Sequence, residues 1–226
     1  MKNLIVTFET WTISDGVYNP FHKGQTESFA LNIERAKIRK SKRKKCYLKQ
    51  SKFSDYLILG EVICNYSEEK RSHMANDNFI VINTGQYKFF MHKSGDAFPY
   101  KVGEFVVGKG QITVDYFIWG EQSYKIENVP DIYYDFIIEK IQFVKIPTTY
   151  IAETDDIIIS PTSLSSTEFS DIDIIEVENM ADYFASEEEN EEESEEVKEE
   201  ESDEMNDDII IENSRSFVLF ELKLIE

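Results

Sequence analysis

The chain has 226 residues, is 41% hydrophobic and 13% aromatic, and carries a formal net charge of −20. Residues Glu168 to Glu212 hold 22 acids and one base, Lys198, which leaves 22 acids and 23 bases elsewhere, so the acidity describes one segment and the rest is nearly neutral. Two cysteines, Cys46 and Cys64, exclude a disulfide framework, and no apolar run approaches the roughly 20 residues of a membrane-spanning helix.

The first 150 residues read as strands, because β-branched and aromatic residues recur at period two. Leu4, Val6 and Phe8 alternate with Ile5, Thr7 and Glu9. Phe29, Leu31 and Ile33 alternate with Ser28, Asn32 and Glu34. Between these runs Trp11, Ile13, Gly16, Pro20, Phe21 and Gly24 form W-x-I-x-x-G-x-x-x-P-F-x-x-G, which reads as a glycine turn, an aromatic plug and a second turn before a strand near Thr26. The pattern resembles the opening of small bacterial β-barrel domains of uncharacterised families, over about the first 35 residues. The resemblance implies a compact β-barrel and brings no activity. Core packing is the simpler role for Trp11 and Phe21; an exposed aromatic platform is the alternative.

From Arg35 to Lys52 the chain contains ten bases and no acid: Arg35, Lys37, Arg39, Lys40, Lys42, Arg43, Lys44, Lys45, Lys49 and Lys52. Tyr47 lies among them and Phe53 follows. The run is expected as an exposed loop. It could be solvated charge, a clamp for phosphates with an aromatic for base stacking, or an intramolecular partner of the acidic segment.

Tyr56 to Cys64 is an almost continuous apolar run, expected as a strand covered on both faces, with Gly60 as a bulge or a point of close approach. Phe79–Ile82 and Tyr87–His92 flank Asn83-Thr84-Gly85-Gln86 as a hairpin. A second hairpin is expected at Gly108-Lys109-Gly110, joining Glu104–Val107 to Gln111–Trp119. Ile132 to Ile146 reads as one strand with uninterrupted alternation. Tyr133, Ile137, Ile141 and Phe143 fall on one face; Ile132, Tyr134, Phe136, Ile138, Val144 and Ile146 fall on the other. A helix over Ile132–Val144 is the alternative, against which the β-branched and aromatic richness argues.

After Pro147 the composition changes. Ser160-Pro161-Thr162-Ser163 is linker-like, a helix-like patch covers Ile172–Phe184, and Ser186–Asp208 is a glutamate-rich stretch expected to be disordered. That stretch reads as solubilising charge, with a phosphate-backbone decoy, loosely held divalent cations or a basic partner as alternatives. Asp155-Asp156-Ile157-Ile158-Ile159, Asp173-Ile174-Ile175 and Asp207-Asp208-Ile209-Ile210-Ile211 repeat an acidic-aliphatic pattern, by chance or as sheet-edge motifs. The alternation resumes at Val218, Phe220, Leu222 and Leu224. An apolar strand left unpaired after an acidic stretch would be an aggregation hazard, so it is expected to rejoin the domain.

The expected fold is mainly β: a single antiparallel barrel or sandwich over residues 1–152, a linker and disordered acidic insertion over 153–212, and a C-terminal strand over 213–226. Catalytic signatures are lacking. His22, His73 and His92 form no metal-ligand spacing, the cysteines form no C-x-x-C pair, and neither a P-loop nor a G-x-S-x-G is present. The sequence therefore points to a non-enzymatic macromolecular interaction module of the bacterial accessory or immunity type. It would need no cofactor or metal, carry a polyanionic arm and meet a protein partner. The alternative is a nucleic-acid-binding barrel that uses residues 35–52 and is held in check by the acidic segment. The start of the chain meets Glu9 without the apolar stretch of a secretory signal, so a cytoplasmic, non-membrane location is the expectation.

Overall fold

The computed structural model describes residues 3–67, 77–94, 97–115, 130–149, 173–187 and 212–225. Among the described residues ten strands carry the architecture: β1 (Leu4–Phe8), β2 (Thr26–Lys40), β3 (Tyr47–Lys52), β4 (Asp55–Ser67), β5 (Asp77–Asn83), β6 (Lys88–Ser94), β7 (Phe105–Asp115), β8 (Tyr133–Thr149), β9 (Asp173–Val177) and β10 (Glu212–Leu224). Two helical segments join them, α1 (Trp11–Ser14) and α2 over residues 180–187. Among the described residues no helix is long and apolar enough to cross a membrane.

The strands form one sheet in the order β3-β4-β5-β6-β2-β7-β1-β10-β8-β9, with additional pairings of β4 to β7 and β2 to β8. The extra pairings fold the sheet back on itself. One circuit runs β2-β7-β1-β10-β8 and returns to β2; the other runs β2-β7-β4-β5-β6 and returns to β2. Each circuit contains one parallel contact made by a single residue pair, Thr7 with Thr113 or Asn32 with Phe90. The mainly β expectation holds, and the architecture is a folded-over, sandwich-like sheet in which β2 and β7 belong to both circuits.

The main core lies between the folded layers. Phe8, Phe21, Phe29, Phe136 and Phe220 meet there, with Phe8 stacked on Phe220 at 5.0 Å and Phe21 edge-on to Phe8 at 5.2 Å. Such aromatic contacts add specific geometry to a large buried area. The opening motif explains how Phe21 arrives. Gly16 and Gly24 take φ of +72° and +84°, a left-handed conformation that glycine adopts without strain. Between these turns the chain delivers Phe21 to the core, where it is 1% exposed.

β10 rejoins the domain. It pairs with β1 from Leu222 opposite Leu4 to Val218 opposite Phe8, and with β8 along its whole length. The β5–β6 hairpin is present, with Gly85 at φ +92°. Gly60 is a point of close approach, since a Cβ there would sit 2.5 Å from Ile82 Cγ2 and 2.7 Å from the Asn83 carbonyl oxygen.

Four expectations need correction. The hairpin at Gly108-Lys109-Gly110 does not exist, because β7 runs straight through it. The glycines serve packing: a Cβ at Gly108 would lie 2.1 Å from the Lys37 carbonyl oxygen, and one at Gly110 would lie 2.5 Å from Ile33 Cγ2. Trp119 lies outside the described residues.

The uninterrupted alternation of β8 also fails. Glu221 opposes Lys140 while Leu222 opposes Ile138, so Glu139 is an extra residue, a β-bulge. The bulge changes the phase, and Ile141 and Phe143 join Phe136 and Ile138 in the main core.

The helix-like patch at Ile172–Phe184 is a strand followed by a helix. β9 pairs with β8, and α2 begins where Asn179 Oδ1 accepts the Ala181 N–H at 3.0 Å, an N-cap that fits Met, Ala and Glu as helix formers. Residues 173–187 are therefore ordered structure inside the segment read as linker. The first and last acidic-aliphatic repeats, and most of the glutamate-rich stretch, lie outside the described residues.

The fourth correction concerns the basic run. It is not a loop: Arg35 to Lys40 end β2, Tyr47 to Lys52 form β3, and only residues 41–46 connect them.

Candidate polyanion-binding face

β2 and β3 are not neighbours. The order β2-β7-β4-β3 places two strands between them, so the basic run is spread across a four-stranded surface. Residues directly opposite in an antiparallel pair share a face, and the registers define that face row by row. Arg39 opposes Val107, Val107 opposes Leu59, and Leu59 opposes Tyr47. In the next row Lys37 opposes Lys109, Lys109 opposes Leu57, and Leu57 opposes Lys49. The alternate positions Ile38, Ile58 and Leu48 pack in or against the main core. Period two thus sorts the strands into a core face and a basic face.

Lys37, Arg39, Lys49 and Lys109 are exposed, Leu57 and Val107 are half-buried, and Leu59 is buried beneath them. The result is an apolar floor between cations. At its Arg39–Tyr47 row the face deepens into a cleft of about 450 Å³, lined by Arg39, Tyr47, Leu59 and Val107 together with Lys42 and Arg43 of the connection. The connection that carries these two is pinned. The Ser41 N–H donates to the Phe105 carbonyl at 2.7 Å, and the Arg43 N–H donates to Ser41 Oγ at 3.0 Å.

Two carboxylates border the face. Burial pushes the Asp55 carboxyl up, while the charges of Lys52, Arg35 and Lys109 pull it down, which puts those three cations around one acid. Glu61 lies beyond Leu59, opposite Phe105. Among the described residues Lys37, Arg39, Lys49 and Lys109 make no ion pair.

Of the residues expected for interaction, Lys37, Arg39, Tyr47 and Lys49 lie on this face, and Lys42 and Arg43 lie at its cleft. Lys44 and Lys45 are exposed in the connection. Arg35 sits at the β2 bulge with φ +49°, a conformation rare for a residue with a side chain. Lys40 occupies the alternate register, opposite buried Val106, and bonds Glu104 at 2.8 Å. Lys52 opposes Asp55, and its Nζ lies 5.3 Å from the Phe53 ring centroid.

The aromatic-platform alternative fails for Phe21, which takes the core-packing role, and for Trp11 it falls outside the described residues. Phe21 is buried among Phe8, Tyr18, Phe29 and Phe220 and offers no surface. Trp11 begins α1, and its side chain lies outside the described residues.

Lys109 and the apolar floor were missed. The signal was in the sequence: Val106, Gly108, Gly110, Ile112 and Val114 continue one alternation through the supposed turn, which leaves Lys109 facing outward.

The other polar concentration is internal. Thr7 Oγ1 and Ser54 Oγ lie 2.6 Å apart, and Gln111 Nε2 donates to both at 2.7 and 3.2 Å. A nucleophilic hydroxyl needs a base within reach; the group that reaches these hydroxyls is an amide that donates. Among the described residues no group of three or more His, Cys, Asp or Glu side chains could hold a metal ion, and both cysteines are free.

No protein-family model, no curated protein and no solved structure matches this chain.

Proposed function

We propose that this chain is a non-enzymatic macromolecular interaction module whose partner docks on the basic face as a polyanion. The observation that carries the reading is the cross-strand array of Lys37, Arg39, Lys109 and Lys49 on one sheet face, without ion pairs among the described residues. Folded cations held on neighbouring strands present a fixed pattern of charge, which attracts polyanions and orients them. The acidic residues of Glu168–Glu212 act in this reading as a tethered competitor, because a linked polyanion reaches roughly millimolar effective concentration.

The test is binding of the full chain to a sulfated polysaccharide and to inorganic polyphosphate across a salt series. Affinity is expected to fall with salt and to be weakened in the triple variant Lys37→Glu, Arg39→Glu, Lys109→Glu. Removal of residues 188–208 is expected to tighten binding; the cut spares Glu187, which bonds Lys145 at 2.8 Å. If neither the full chain nor the deletion variant binds either polymer at low salt, the reading fails.

A further inference from the structure

We infer that the polyanion taken by this face is a single-stranded nucleic acid, with Tyr47 as the platform for an unstacked base. The inference rests on the proposed function and goes beyond it by naming the ligand class.

Three observations carry it. The first is spacing. Lys37 and Arg39 stand two residues apart on one face of β2, so their stems are about 6.8 Å apart along the strand. That distance is comparable to the step between phosphates in an extended single strand. Lys109 and Lys49 widen the track across β7 and β3.

The second is the cleft floor. Tyr47 lines the cleft beside Leu59 and Val107, flanked by Arg39 and Arg43. Proteins that hold single strands combine a cationic groove with an aromatic ring on which a base stacks. A duplex keeps its bases stacked inside and cannot offer one to such a floor. An acidic protein segment would use the cations and leave the apolar floor without a partner.

The third is that Tyr47 has no other employment. Among the described residues its ring stacks on no aromatic ring and its hydroxyl has no hydrogen-bond partner. The other partly or fully buried tyrosines of this sheet are committed. Tyr56 bonds both backbone groups of Ile5, Tyr100 donates to the Ile38 carbonyl, and the Tyr134 hydroxyl accepts from Lys88 N–H. A tyrosine that lines a cationic cleft, held by strand pairing and otherwise unused, is placed for a flat ligand.

The test compares the full chain binding a fluorescent oligothymidylate of 15 nucleotides, a mixed-sequence duplex of the same length, a sulfated polysaccharide and polyglutamate, all at the same low salt. The single strand is expected to bind at least tenfold tighter than each of the others. Tyr47→Ala is expected to weaken that binding about 5- to 150-fold, the range of base–aromatic stacking, while Tyr47→Phe retains it. Tyr47→Ala is expected to weaken polysaccharide binding less than single-strand binding, because a sulfated sugar has no base to stack.

Equal or tighter binding of the duplex or polysaccharide overturns this inference and leaves the polyanion reading standing. Preference for polyglutamate overturns it in favour of an acidic protein partner. A Tyr47→Ala variant that binds the single strand as the parent does overturns the platform role. Failure of all four probes with both the full chain and the variant lacking residues 188–208 removes the polyanion reading with it.

Discussion

Lys23, Lys140 and Lys145 hold Glu178, Glu176 and Glu187 at 2.7, 2.6 and 2.8 Å, whereas Lys37, Arg39, Lys49 and Lys109 hold no carboxylate among the described residues. The first group fastens the strand β9 and helix α2 to the body of the domain. Lys145 also lies 5.7 Å from the Tyr183 ring, and that ring stacks on Phe143 at 3.7 Å. The second group stands on β2, β7 and β3, above an apolar floor. The sheet order places β8 and β9 at one end and β3 and β4 at the other. The described flanks of the acidic segment meet β8, at Lys145 through Glu187 and at Thr149 opposite Glu212. The comparison separates two uses of lysine in one small domain. Paired lysines fix local structure, and the unpaired cations are the ones that the proposed function assigns to a partner.

The largest effect tests the strand that makes the basic face possible. A side chain at Gly108 has nowhere to go, because its Cβ would meet the Lys37 carbonyl and lie 2.8 Å from Ile38 Cα, both backbone atoms. Gly108→Val is expected to cost about 3 kcal/mol or more, seen as a lower urea midpoint. Because β2–β7 pairing belongs to both circuits, the whole domain should melt together. An unchanged midpoint would revive the hairpin at this glycine pair.

Next in size is the charge array. Lys37→Glu with Arg39→Glu and Lys109→Glu is expected to reduce polyanion affinity more than tenfold at low salt. The slope of log affinity on log salt should fall by about 0.7 for each phosphate that is no longer neutralised. Stability should change little for exposed positions that make no ion pair among the described residues. Lys145→Ala is the mirror variant: it should lower stability by roughly 1 kcal/mol through the ion pair and the ring contact, and leave affinity unchanged. If both variants change both quantities, the two groups of lysines are not distinct.

Much of this arrangement was legible from residue patterns. The glycine and aromatic spacing at Gly16, Phe21 and Gly24 announced a buried plug between turns. The alternation at Val218 to Leu224 announced a strand that must pair. The failures share a cause, since local preference was read where a long-range contact decides. Gly108-Lys109-Gly110 has turn composition, yet its glycines exist because β2 crosses close by. The bulge at Glu139 flips the faces of β8, and nothing local marks it. The basic run looked like a loop because charge implies exposure. A strand with one wet face meets that requirement equally well, and Ala36 and Ile38, alternating with Arg35, Lys37 and Arg39, carried the clue. The basic face itself could not be read, because Lys109 and Leu57 join it only through the order β2-β7-β4-β3.

A third prediction concerns the joint between the regions. The Tyr56 hydroxyl donates to the Ile5 carbonyl at 3.1 Å and accepts the Ile5 N–H at 2.9 Å, tying β4 to β1. Tyr56→Phe leaves both backbone groups without this partner and should cost about 1–3 kcal/mol. Burial pushes this phenol up to about 12 from an ordinary 10.0. The folded state therefore keeps its proton where the unfolded state loses it. This contribution is full below pH 10 and declines as pH rises towards 12. The phenylalanine variant should show a shallower alkaline decline in melting temperature; an identical decline would place the titration elsewhere.

The smallest effect is at Glu34, where β2 leaves the core and enters the basic face. Glu34 Oε1 accepts from Asn32 Nδ2 at 3.1 Å and from Thr113 Oγ1 at 3.3 Å. Burial pushes its carboxyl up, the Glu9 charge adds to the shift, and Thr113, Arg35 and Asn32 oppose it. A carboxyl raised in the folded state binds its proton more tightly there than in the unfolded chain. Its contribution is fully present below the ordinary glutamate range and is lost as pH rises through the folded value. Glu34→Gln keeps an oxygen acceptor for both bonds and cannot ionise. It should be slightly more stable than the parent at pH 8 and indistinguishable at pH 4, so that its stability varies less with pH across that interval. Glu34 is only half-buried and Arg35 stands beside it, so the gain should be small compared with the loss at Tyr56. A glutamine variant less stable than the parent at pH 8 would mean that the ionised carboxylate is wanted there, as a partner for Arg35 at the edge of the cationic array.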